Sequence, residues 1–249
     1  MVIVTVVYIL IGSILLIITN RLSVHSATAE AKAIERIAAF VATRKGDISR
    51  LRRGVAYHNF VLCVVYVADR VSEQAYQPLR AIVSYYNIEN RLLLAAKRSK
   101  SGCRRAYYLA LLARLPISLV TELKVEHFLA DRSKDVRFYA LMSIFSAAPY
   151  RAVAILERME QRLSRREVAE LLTVIGRGYC PIPYSPLLIS DNYNLQLLGI
   201  HLVRRFGITE SRAEITLIVR NLHSELREDA LETLACFGER ERFGKYTII

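Results

Sequence analysis

The stretch DVRFYALMSIFSAAP, Asp135 to Pro149, predicts one amphipathic helix and the turn that ends it. Its apolar residues recur at i, i+4, i+5, i+8 and i+9, which places them on one stripe of a helix with 3.6 residues per turn. Ser133 and Asp135 are suited to cap this helix, because a side-chain oxygen can accept from the first backbone amides. Pro149 ends this helix and can open the next helix, which is predicted over 151–163. Proline has no backbone N–H, and the first turn of a helix does not pair these groups.

Three other segments repeat these landmarks. In CRRAYYLALLARLP (103–116), Arg104 aligns with Arg137, and the helix again ends at a proline. NLQLLGIHLVRRFG (194–207) and ELREDALETLACFG (225–238) place apolar residues at the same positions, with Leu195 aligned to Leu226, and each ends at a glycine. The chain therefore contains related helical segments.

A small residue recurs within these copies, where neighbouring helices would approach closely. It is Ala140 in the central copy, Gly199 in the next and Ala230 in the last. The repeat period of about 31 to 33 residues is typical of stacked helix pairs, because no single pair can bury its own apolar face. The competing interpretation is an irregular helical bundle whose helices happen to end alike.

The central segment, written DVRFYALMSI from Asp135 to Ile144, fits the pattern D-V-R-x-x-A-L-x-x-L with isoleucine in the last position. It resembles bacterial HEAT-like repeats, the short kind also found in phycobilin-lyase-related proteins, over residues 100 to 240. The resemblance implies an all-α fold, an α-solenoid of HEAT-like helical hairpins with a concave surface that binds a protein. Some membrane-anchored members resemble accessory proteins of membrane glycosyltransferases. The fold does not fix an activity.

The N-terminus carries an uncharged run, VIVTVVYILIGSILLIIT, residues 2–19. At about 1.5 Å per residue it spans about 27 Å, close to the thickness of a bilayer core of about 30 Å. We expect one transmembrane helix here. A cleaved signal peptide is the first alternative, since Ala27-Thr28-Ala29 offers a cleavage site, but there is no basic segment before the run. A buried helix of a soluble fold is the second.

Basic residues follow this run. Between 21 and 53 there are eight Lys or Arg and three Asp or Glu, a net charge of +5. The positive-inside rule then places the C-terminal body in the cytoplasm of a single-pass protein of the cell inner membrane. Adsorption to anionic lipid is worth about 1 kcal/mol per basic residue. The alternative is that the charges only set the topology. The candidate residues for contact with the membrane surface or a partner are Arg44, Lys45, Arg50, Arg52 and Arg53.

Local patterns divide the rest of the chain. A helix is predicted over 27–42, a buried helix up to Val71, and two short helices over 78–86 and 89–99. Ser164 and Glu167 have the spacing of a capping box and open a helix over 164–176. The predicted organisation is a transmembrane anchor (1–20), a basic juxtamembrane helix and linker (21–53), a helical N-terminal cap region (54–99) and the HEAT-like repeat array (100–249).

One irregular loop, RGYCPIPYSP (177–186), interrupts the array. One interpretation is a simple connector between helices. The other is an inserted loop in which Tyr179 and Tyr184 contact a partner, because loops on a rigid scaffold often carry binding residues.

No motif of catalysis, cofactor binding or metal binding occurs. The chain has no GxSxG, P-loop, GxGxxG, HExxH or CxxC, and we expect His127 and His201 to be packed or surface residues. Residues 21–105 carry a net charge of +10 and residues 106–249 only +2. The leading hypothesis is a non-enzymatic, membrane-anchored scaffold for a membrane-associated protein. The alternatives are a basic nucleic-acid-binding protein, against which the charge beside the anchor argues, and a lyase-like enzyme.

Overall fold

The computed structural model describes residues 27–71, 76–176, 183–221 and 223–244, the last six without their side chains. These residues form helices and connecting turns, and none of them lies in a strand. The fold class is all-α, as predicted. Within these ranges no helix has the length and apolar character needed to cross a membrane. The predicted anchor over 2–19 and Tyr179 lie outside the described residues.

The chain divides into two compact units, and the boundary lies between Ile88 and Glu89. The first unit contains α1 (27–43), α2 (Tyr57–Ala68) and α3 (Tyr76–Tyr85), with a 3-10 turn at Ile48–Arg50 between the first two. Helix α4 (Ile88–Arg98) begins at the boundary. The predicted boundaries at residues 53 and 99 remain predictions.

The core of the first unit follows from helical spacing. Ala33, Ile37 and Val41 fall four residues apart on α1, and all three are buried. The run that includes Phe60 and Val64 is a buried helix, as its helical neighbours predicted, although its β-branched residues favour a strand. Burial of one apolar face thus overrides local propensity here.

The second unit alternates longer and shorter helices. Its members are α5 (Gly102–Ala113), α6 (Leu119–Val125), α7 (Lys134–Ala147), α8 (Pro149–Arg158), α9 (Arg165–Ile175), α10 (Tyr184–Leu188), α11 (Tyr193–Phe206), α12 (Arg212–Arg220) and α13 (Arg227–Gly244). Helix α5 packs against α7, α7 against α9, α9 against α11 and α11 against α13. The longer helices thus pack on one another in the order in which they follow along the chain.

The predicted alignment of the arginines is wrong by one residue, because Arg105 and not Arg104 is the counterpart of Arg137. Nη1 of Arg105 and of Arg137 donates to the carbonyl oxygens five and six residues earlier, at 2.8 to 3.2 Å. Each guanidinium also reaches a side chain in the following loop, Asp131 for Arg105 and Gln161 for Arg137. The repeat between these two copies is therefore one residue shorter than the predicted alignment required.

The predicted helix ends are partly correct. Ser164 and Glu167 form the complete capping box, and Pro149 is the first residue of α8. Ser133 occupies the N-cap position of α7, but its hydroxyl makes no capping bond. Its backbone amide instead donates to the Asp131 carboxylate at 2.9 Å, which fixes the turn before the helix. Helix α8 ends at Arg158, five residues before the predicted end.

The recurring small residues lie in close-packed positions. Ala140 and Ala230 are fully buried. A Cβ atom added to Gly199 would lie 2.9 Å from Cβ of Leu187 on α10, closer than packed carbons approach. The close approach predicted at this position is therefore present between α11 and α10.

Candidate functional site

The five predicted surface cations lie in one segment of the first unit, the basic loop, which we define as residues 44–56. All five are exposed. Arg50, Arg52 and Arg53 line one open groove of about 490 Å³, whereas Arg44 and Lys45 lie outside it. The residues that line the groove are Ser49, Arg50, Arg52, Arg53, Gly54, Val55 and Ala56.

Local sequence determines the path of the basic loop. Helix α1 ends where Arg44 adopts a φ of 54° and Gly46 a φ of 119°. Asp47 then caps the 3-10 turn, since its Oδ1 accepts from the Ser49 amide at 2.8 Å. Gly54, which lines the groove, has a φ of +80°, a conformation that favours glycine.

Tyr86, which lies beyond the end of α3, holds the basic loop from a distant part of the sequence. Its hydroxyl donates to the Ile48 carbonyl at 2.5 Å and accepts from the Arg52 amide at 3.3 Å. The Tyr57 hydroxyl donates to the Tyr86 carbonyl at 3.2 Å, and the Phe60 ring packs 4.6 Å from the Tyr86 ring. Burial raises the pKa of the Tyr86 phenol, so it remains a proton donor at neutral pH. Sequence reasoning missed Tyr86, because no local pattern marks it.

The groove is positively charged. Arg50 pairs with Asp47 at 3.4 Å, and the hydrogen bonds from Ser49 hold the pKa of that carboxyl below its usual range. The Arg52 guanidinium lies 5.8 Å from the centre of the Tyr57 ring. Within the described ranges, neither Arg52 nor Arg53 forms an ion pair with a carboxylate. Three arginine residues thus line one open groove, and one of them, Arg50, pairs with a carboxylate.

A second candidate surface lies in the second unit, on the short helix α6. Leu119, Val120 and Leu123 are 63%, 61% and 57% exposed, whereas Thr121 and Glu122 of the same helix are buried. We define Leu119, Val120 and Leu123 as the α6 patch. Helix α6 therefore exposes three apolar side chains and buries two polar ones, whereas an ordinary surface helix buries its apolar residues, as α6 does only at Val125.

Two sets of polar contacts fix α6 in this orientation. At its start, the Glu89 carboxylate accepts from the Ser118 amide at 3.2 Å, from the Ser118 hydroxyl at 2.8 Å and from the Thr121 hydroxyl. On the buried side, Arg151 of α8 pairs with Glu122 at 2.9 Å and with Glu126 at 2.6 Å. Rotating the α6 patch inward would break both sets of contacts, so the patch stays exposed.

A third polar cluster, among α9, α11 and α13, is structural. Buried Asp229 accepts two hydrogen bonds from Arg165, at 2.9 and 3.1 Å. His201 lies 3.2 Å from the same carboxylate through Nε2 and 2.9 Å from Arg204 through Nδ1. Because arginine only donates, Nδ1 must accept, and the neutral ring donates from Nε2 to Asp229. Both ring nitrogens are occupied, so His201 has no free position for acid–base chemistry.

The other residues singled out in the sequence do not form a site in the described part of the chain. Tyr184 is half-buried at the first position of α10, and its loop partner Tyr179 is not described, so the partner-contact loop stays a prediction. His127 is exposed and packs against Phe128. Over the described ranges there is no group of three or more His, Cys, Asp or Glu side chains that could hold a metal ion.

No family model matches the chain, and no curated protein and no solved structure matches it. The two surfaces described above are therefore the basis for a functional proposal.

Proposed function

We propose that this protein is a membrane-anchored scaffold that binds a membrane-associated protein through a helical-repeat surface. In this proposal residues 2–19 span the cell inner membrane once and the C-terminal body lies in the cytoplasm. The observation that carries the proposal is the concentration of three exposed apolar side chains on the single short helix α6.

The repeat architecture supports the proposal. Each longer helix of the second unit packs against the next longer helix along the chain. Arg105 and Arg137 make the same backbone contacts in successive copies. Repeats in which each unit packs mainly on its neighbours form α-solenoids, and such arrays commonly bind proteins.

The α6 patch has the chemistry of a protein-binding surface. Burying one large aliphatic side chain is worth about 1.5–3 kcal/mol, so three exposed ones on a single short helix favour a partner. Tyr150 of α8 is a further exposed side chain of the second unit, at 57%. Tyrosine is enriched at the centres of protein interfaces.

The partner that we propose is a membrane protein with an exposed apolar helix. The uncharged run at 2–19 and the +5 charge of residues 21–53 favour a location against the bilayer. A partner resident in that membrane would meet the α6 patch at high effective concentration. The repeat resemblance implies a membrane glycosyltransferase or a similar enzyme as the partner class.

Affinity isolation from detergent-solubilised native membranes tests this function. Full-length wild-type protein is compared with L119S/L123S and with L217S, which removes a similarly exposed leucine from α12. We expect wild type and L217S to recover one stoichiometric membrane protein and L119S/L123S to lose it, with thermal unfolding showing that all three fold. Equal recovery by all three variants, or recovery of no protein, would reject the α6 patch as the docking surface.

A further inference from the structure

We propose that the groove of the basic loop binds one phosphate group through the guanidinium groups of Arg50, Arg52 and Arg53. The phosphate belongs to the headgroup of an anionic phospholipid. This choice of source rests on the proposed function, whereas the phosphate site itself does not.

The backbone brings three arginine residues to one groove. The Arg53 amide donates to the Arg50 carbonyl at 3.1 Å, and the Val55 amide donates to the Arg52 carbonyl at 3.0 Å. These two turns bring side chains that are close in sequence to the edge of the same groove. Arginine presents paired N–H donors in a planar fork that matches two phosphate oxygens, which a lysine cannot do.

The charge of the groove favours an anion with more than one negative charge. Asp47 is the one carboxylate paired with a groove arginine in the described part of the chain, and it contacts Arg50 in an exposed geometry at 3.4 Å. Arg36 adds a further cation near the groove, since its Nη2 donates to the Arg53 carbonyl at 2.8 Å. Repulsion among these cations is relieved when a phosphate binds between them.

The groove is also rigid and open. Tyr86 bonds to the backbone of the basic loop at Ile48 and at Arg52, and Leu51 between them is buried. A preformed loop loses little conformational entropy when a ligand binds. A Cβ atom added to Gly54 would meet nothing within 4 Å, so a ligand can approach the backbone at that edge.

The set of cations that line the groove distinguishes one phosphate from a nucleic-acid backbone. A nucleic acid needs a row of cations that follows several phosphates. Here Arg44 and Lys45, the nearest preceding cations, do not line the groove. The arrangement therefore fits a single headgroup.

Calorimetric titration of full-length protein in neutral detergent micelles tests the proposal. The probes are short-chain phosphatidic acid, the zwitterionic short-chain phosphatidylcholine, and sodium phosphate against sodium chloride of equal ionic strength. The groove variant is R50Q/R52Q/R53Q. The matched control is K32Q/R44Q/K45Q, which removes three exposed charges outside the groove.

We expect phosphatidic acid to bind saturably, one per chain, with an affinity at least tenfold lower in the groove variant and changed less than twofold in the control. Equal binding of sodium phosphate, lost in the same variant, would support the phosphate site but overturn the lipid source. Absence of binding by both probes, or an equal loss in the control, would overturn the proposal. The titration contains no partner protein, so a negative titration would not count against the proposed scaffold function. A negative affinity isolation would likewise not count against the phosphate site.

Discussion

At the scale of single residues, two helical glycines have different roles. Gly199 on α11 faces Leu187 so closely that a Cβ would lie 2.9 Å from its Cβ and 3.1 Å from the Leu188 amide nitrogen. Gly238 on α13 has nothing within 4 Å of the same position. The sequence predicted that Gly199 is a close-packing position from its alignment with Ala140, but it could not show which helix approaches it.

Gly199→Ala and Gly238→Ala should therefore change stability in opposite directions. Alanine in a helix interior is worth about 0.5–1 kcal/mol over glycine, so we expect Gly238→Ala to raise the free energy of unfolding. The clash at Gly199 should outweigh that gain and cost about 1–3 kcal/mol, as overpacking does. Urea unfolding of both variants measures this, and a stabilised Gly199→Ala would contradict the packing of α10 on α11.

His201 makes stability depend on pH. Burial, followed by the positive charge of Arg204, lowers its pKa below the ordinary value. At a pH between the folded and unfolded pKa values of His201, the unfolded chain binds more protons than the folded chain. The free energy of unfolding therefore rises with pH in this range. The contribution of His201 is fully present above about pH 6.5, the unfolded value, and is lost as the pH falls through the folded value.

Unfolding free energies at pH 7.5 and 5.5 test this linkage, with His201→Asn as the comparison. We expect the wild type to lose more stability than the variant when the pH is lowered. An identical loss in both would show that His201 does not titrate as its buried contacts require.

At the scale of helices, local patterns predicted the elements and distant contacts decided their details. The helices predicted over 78–86 and 89–99 are present as α3 and α4, and the capping box of α9 is complete. The alignment of Arg104 with Arg137 was wrong, because Arg105 is identified as the counterpart only by its contacts with the carbonyls before α5 and with Asp131 in the following loop. In the same way the orientation of α6 depends on Arg151 of α8, and the basic loop depends on Tyr86, both distant in sequence.

Arg105→Ala and Arg104→Ala test the corrected alignment. The Arg105 guanidinium bonds to Asp131 and to two carbonyls, whereas Arg104 is exposed. Hydrogen bonds to charged groups contribute about 1.5–3 kcal/mol, so we expect a loss of this order for Arg105→Ala. The change for Arg104→Ala should stay within about 0.5 kcal/mol. Thermal unfolding measures both, and equal effects would restore the alignment of Arg104 with Arg137.

At the scale of the whole molecule, the sequence predicted an all-α fold and five candidate cations. The structure brings three of these cations to one groove. It also shows the exposed side of α6, which no motif marks, because an apolar residue exposed on a helix looks the same in sequence as a buried one. The anchor and the partner remain proposals that concern the chain in its membrane.

Site-specific photo-crosslinking in native membranes tests the central claim most directly. A benzophenone amino acid replaces Leu123 in the α6 patch, and in a control chain it replaces Glu157, an exposed residue of α8. We expect one adduct with a single membrane protein from position 123 and none from position 157. The absence of any adduct at position 123, or the same adducts at both positions, would contradict the claim that this protein is a scaffold acting through its exposed helical surface.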